Sequence, residues 1–205
     1  NNLFDGTALA KLMSEYDATP EMFLYRLSQV MPTHFGVTKM HYMRINHEIG
    51  SDVFRITKEL NLTNVFIPRG IGPGEHHCRR WAAIAGLQQL DSDAIGEGNV
   101  NVIAQRSTFT DQTKTFFNVA VVREKSLGEN TNTGMTLGFL IDDAFKAKAN
   151  FWADDKVPTV QVNETCERCP IEDCESRVKE PTIYTAKDKQ KRREAALTKF
   201  MDEHR

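Results

Sequence analysis

The chain is short of thiols, of long apolar runs and of net charge, and each shortage closes off a class of protein. Four cysteines in 205 residues are too few to staple a secreted disulfide scaffold. No apolar stretch approaches the roughly 20 residues that cross a bilayer. No secretory leader opens the chain. The formal charge of −2 leaves the chain as a whole without the basic footprint that grips a nucleic-acid backbone. No internal repeat or low-complexity tract stands out. Enzyme motifs are missing too. There is no G-x-S-x-G elbow. His47-Glu48 begins like a zinc-protease pair, but Ser51 stands where the second histidine belongs. Gly70, Gly72 and Gly74 alternate without completing a dinucleotide-binding fingerprint. These absences leave a non-enzymatic protein of a reducing, cytoplasmic compartment. The opening Asn1-Asn2-Leu3 has no Met, which suggests a fragment of a longer protein.

What is present is ordinary globular composition, 40% hydrophobic and 26% charged, enough to bury a core at this length. Residues 3–16 read as a helix with Leu9, Leu12, Met13 and Tyr16 on one face. Thr19-Pro20 reads as the N-cap and first position of a second helix ending near Pro32. Strand signals follow at 39–47 and 53–57, joined through Gly50, with a further extended stretch at 62–67. A Gly- and Pro-rich loop, 68–74, leads to a predicted helix over 75–90. Cys78 would sit in its first turn, where the helix dipole favours a thiolate. Strands are predicted near 100–105, at 115–123 and at 135–141, and Asp142 as the cap of a short helix. From Pro158 the chain reads as irregular up to its cysteine-rich stretch, and after Pro181 as a charged helix. The order predicts an α+β fold: a PAS/GAF-like antiparallel sheet with helices on one face, an irregular Cys-rich segment and a terminal helix. The corresponding divisions are an N-terminal helix over 1–18 serving as linker or dimerisation segment, a sensor domain over 19–157, a Cys-rich segment over 158–181 and a C-terminal helix over 182–205.

The cysteines carry the strongest chemical signal. Cys166, Cys169 and Cys174 are spaced C-x-x-C-x-x-x-x-C, and Cys78 stands far upstream. Four soft ligands make a complete set for tetrahedral zinc or for an iron–sulfur cluster. Zinc usually takes two separated pairs. The compact trio with one remote partner, and Pro170 directly after a ligand, point to a [4Fe-4S] cluster, with zinc as the alternative. A Cys166–Cys169 disulfide would leave Cys78 and Cys174 unexplained, and four unrelated thiols is the plain alternative. Arg69, Arg79, Arg80 and Arg106, with His77 nearby, form a weaker candidate set for an anionic ligand, since arginine forks suit phosphate and carboxylate. Surface ion pairs are the plain reading of the same arginines, and a helix-start packing role that of His76 and His77.

The run Glu75-His76-His77-Cys78-Arg79-Arg80-Trp81, the strand Thr136-Leu137-Gly138-Phe139 and the closing run from Cys166 to Arg177 resemble the C-terminal domain of the short-chain fatty acyl-CoA-responsive transcriptional regulators. The resemblance covers roughly residues 20–181, and the cysteine spacing is its most specific part. It implies a bacterial regulator's sensor domain that binds a small metabolite, a short-chain acyl-CoA or a related compound. It implies contact with DNA only through an N-terminal helix-turn-helix of the phage-repressor type, which this chain lacks. A homodimer without membrane contact is the expected assembly.

Overall fold

The computed structural model describes residues 3–63, 71–92, 100–110, 114–124 and 130–203. Arg69 and most of the stretch expected to be extended at 62–67 lie outside them. Helix α1 spans Gly6–Glu15, and Asp5 caps it by accepting from the N–H groups of Thr7 and Ala8. Helix α2, Pro20–Phe35, starts as expected, with Thr19 accepting from the Met22 N–H. It runs one turn past Pro32 and stops at Gly36, whose φ of 70° suits the left-handed C-cap.

The sheet has six strands in the order β2-β1-β5-β4-β3-β6. They are β1 (Met40–Glu48), β2 (Phe54–Asn61), β3 (Val100–Phe109), β4 (Thr115–Arg123), β5 (Thr131–Leu140) and β6 (Thr159–Val162). All pairs are antiparallel except β3 with β6. Strand β6 replaces the irregular stretch expected after Pro158. Helix α3 (Ala82–Ser92), the short α4 (Asp143–Lys146) and α5 (Thr182–Glu203) complete the α+β fold.

Alternation along the strands divides the core in two. Met43 and Ile45 of β1 join Phe116, Ala120 and Val122 of β4 beneath α3 and Trp81. Met40 and Tyr42 join Phe117, Val119 and Val121 on the other face, beneath α1, α2 and Phe145 of α4. Helices therefore cover both faces, not the one expected. That fits β4 and β5, whose central residues are buried on both faces of the sheet.

One row of the sheet breaks the apolar pattern. His41, Gly138 and Asn118 are opposed across β1, β5 and β4. A Cβ on Gly138 would come within 2.1 Å of His41 Cε1 and 2.3 Å of Asn118 Oδ1. The glycine is the gap through which histidine and asparagine meet, and the two side chains hydrogen-bond. Asn118 Nδ2 then donates to Ser107 Oγ at 2.8 Å, as does Gln105 Nε2. Burial pushes His41 down to about 4, opposed by its bond to Asn118.

Replacing Gly138 by Ala is expected to cost about 3 kcal/mol, since neither neighbour can withdraw without breaking a buried hydrogen bond; equilibrium urea unfolding reads it, and a change under about 0.5 kcal/mol counts against the packing argument. His41 gives a second expectation. Its folded-state pKa lies below the unfolded value, so the unfolded chain binds the extra proton and stability falls as pH drops from 6.5 toward 4. The loss is about 3 kcal/mol across that window. The His41→Phe chain should show a shallower pH slope in the same measurement.

Candidate metal centre

The segment before α3 does not continue the helix upstream as the sequence pattern predicts. Helix α3 begins at Ala82, and residues 76–78 instead pair with 164–166. The Cys78 N–H donates to Glu164 O at 3.1 Å, and the Cys166 N–H donates to His76 O at 2.9 Å. His77 and Thr165 face each other in an antiparallel bridge between these bonds. The peptide groups that a helical turn would have used are spent on this cross-link. The dipole argument for a Cys78 thiolate is replaced by a different environment.

All four cysteines are reduced, and all four line one cavity together with Arg80, Ile171 and Arg177. The cavity is tight, with about 10 Å³ of free space for the centre of a water-sized sphere. Burial raises Cys78, offset in part by the backbone of Asn163 and Arg80, which hydrogen-bonds its thiol. Burial likewise raises Cys169, offset by the backbone of Ile171. Among the described residues, no three or more His, Cys, Asp or Glu side chains converge closely enough to grip a single metal ion.

The residues between the cysteines hold the loop in place. Arg168 forks onto Glu75, with Nε–Oε1 and Nη2–Oε2 both at 3.0 Å, and its Nη1 donates to Glu164 Oε2 at 2.9 Å. Glu167 accepts from the His76 N–H at 2.9 Å and pairs with His76 Nδ1 at 2.8 Å. Arg177 donates to the carbonyls of Cys166, Cys169 and Ile171. The Trp81 indole donates to Asn163 O at 2.8 Å. Glu75, Glu167, Arg168 and Arg177 escape a sequence search for ligands because they serve the backbone around the ligands. The signal available was the opposite charges lodged inside the C-x-x-C.

The weaker candidates are dispersed. Arg79 is buried, donates to the main-chain oxygen of Asp52 at 2.8 Å and to its carboxylate at 2.7 Å, and lies over the Phe54 ring. His77 packs on Trp81. Its Nδ1 and the Arg79 Nε lack hydrogen-bond partners among the described residues. Both side chains line a groove of about 510 Å³ with Val53, Ile56 and Gly72. Arg80 lines the thiol cavity, which Arg79 also borders. Arg106 lines another groove, with its fork on Trp152, Asp154 and Val157 carbonyls and Thr159. The expected arginine cluster is therefore not assembled by Arg79, Arg80 and Arg106.

No family model, curated protein or solved structure matches the chain. Among the described residues, no helix is long and apolar enough to cross a membrane.

The Glu75 carboxylate is nearly enclosed, at 6% exposure, so Arg168→Ala strands a buried charge. A loss of about 2 kcal/mol in urea unfolding is expected, most of it recovered in the Glu75→Gln, Arg168→Met double variant. An additive double variant would refute the pairing.

Proposed function

We propose that this chain is the sensor half of a bacterial transcriptional regulator, holding a [4Fe-4S] cluster through Cys78, Cys166, Cys169 and Cys174. The observation that carries the reading is that four reduced thiols, 88 residues apart at the widest gap between neighbours in sequence (166 − 78), line one small cavity. The compact trio with one remote partner, and Pro170 directly after Cys169, support a cluster over a single zinc ion, which usually takes two separated pairs. Backbone directed at Cys78 and Cys169 supports it too, because hydrogen bonds to ligating sulfur tune such centres.

A bound cluster would supply a one-electron, oxygen-sensitive centre. The chain's own residues supply the rest of the device. Arg168, Glu167 and Arg177 fix the cysteine loop, and Trp81 ties the start of α3 to Asn163. The groove beside His77 and Arg79 has a volume in the range of metabolite sites. In this reading it takes the small metabolite, of acyl-CoA type, that the family resemblance implies. The reading assigns the chain no catalytic step. It gives DNA contact to a separate N-terminal domain, and assembly to a cytoplasmic homodimer.

Protein purified without oxygen should be brown, with about four irons per chain and broad visible absorption that bleaches in air. Cys169→Ser should lower the iron by half or more while Ser176→Ala leaves it unchanged. A colourless protein with about one zinc per chain overturns the cluster and leaves a structural zinc clamp.

A further inference from the structure

A second cavity lies between the sheet and the first turn of α3, on the face opposite α1 and α2. Met43, Ile45, Phe109 and Val162 give it apolar walls, and His41, Ser107 and Asn118 give it a polar side. His41 is 96% buried, from 4% exposure. One of its ring nitrogens is engaged by Asn118, and the other, Nδ1, has no hydrogen-bond partner among the described residues. With Nε2 carrying the proton toward the Asn118 oxygen, Nδ1 is a lone-pair acceptor without a donor. Ser107 Oγ already accepts from both Asn118 Nδ2 and Gln105 Nε2. Its two lone pairs are filled, so its own O–H is left to donate. The residues that line the cavity thus include one spare acceptor, on His41, and one spare donor, on Ser107, beside apolar side chains.

We propose that this cavity binds a small uncharged molecule carrying one hydroxyl on a short apolar chain, a short-chain alcohol in chemical class. The hydroxyl hydrogen goes to His41 Nδ1, the hydroxyl oxygen takes the Ser107 O–H, and the chain lies against Met43, Ile45 and Phe109. Size limits the occupant. The free space is about 30 Å³ for the centre of a water-sized sphere, which admits roughly two or three non-hydrogen atoms. An acyl-CoA does not fit, so this site is separate from the groove beside His77. Charge limits it as well, since an anion here would have no cation to meet: the His41 ring is held neutral by burial. The cavity is separate from the thiols, whether these carry iron, zinc or no metal.

Ethanol and its isomer dimethyl ether make the test, since they match in size and only ethanol has an O–H. With the intact chain in solution, ethanol should give saturable nuclear Overhauser contacts to the Met43 and Ile45 methyls and move the Nδ1 resonance of His41. Dimethyl ether should bind at least about tenfold more weakly, the cost of leaving a buried acceptor unpaired. Ser107→Ala and His41→Phe, each checked for a native amide spectrum, should weaken ethanol by a similar factor. Equal binding of the two isomers would reduce the cavity to an apolar void. Contacts to His41 from water alone, with none from ethanol, would identify a buried hydration site and overturn the proposal. Both outcomes are read on the unsubstituted chain, so a variant that fails to fold does not obscure them.

Discussion

Two backbone hydrogen bonds and the bridge between them, joining residues 76–78 to 164–166, are the constraint on which this molecule turns. They carry no chemistry of their own. They decide that Cys78 and the cysteine trio share a cavity, and that α3 begins at Ala82 and not further upstream. They also set the flank of the sheet, because the Trp81 indole reaches Asn163 O and closes the core over Phe109 and Val162. Side-chain pairs at both ends, Glu75 with Arg168 and His76 with Glu167, reinforce the same junction. Partly buried pairs of this kind contribute more to choosing one arrangement than to net stability.

Much of the sheet was legible because burial writes period two into a strand. The alternation at 100–105 and the β-branched and aromatic run at 115–123 correspond to β3 and β4. Thr19-Pro20 gave the start of α2 for a local reason, the cap hydrogen bond. What failed was set by distant partners. Residues 75–81 read as helix because a helix was compatible with their side chains, and lost it because residues 164–166 compete for their peptide groups. Strand β6 is four residues long and pairs in parallel with a strand fifty residues earlier, so no local period announces it. Pro32 reads as a stop, yet Gly36 is the residue whose left-handed backbone ends the helix.

The candidate site divides along the same line. Counting thiols was enough to group the four cysteines, which the structure places around one cavity. Grouping arginines by proximity in sequence was not. A guanidinium satisfies any convenient carbonyl or carboxylate, and Arg79 and Arg106 found theirs on opposite margins of the fold. The His41–Asn118 row was invisible for another reason. It spans three strands and depends on the absence of a side chain at Gly138, which sequence shows only as a glycine within a strand.

Helix α5 bears on what the cysteine turn can transmit. The peptide N–H groups of its second and third residues, Ile183 and Tyr184, donate to the carbonyl of Glu167 at 3.0 and 2.9 Å, and Glu167 lies between Cys166 and Cys169. Most of the helix beyond that point is solvent-exposed. Its 22 residues make a rod roughly 33 Å long, fastened by one end to the turn between two thiols. A tilt of about 10° at that fastening carries the far end through roughly 6 Å. A small change in the orientation of that turn is thereby geared up to a much larger displacement at the far end of the helix.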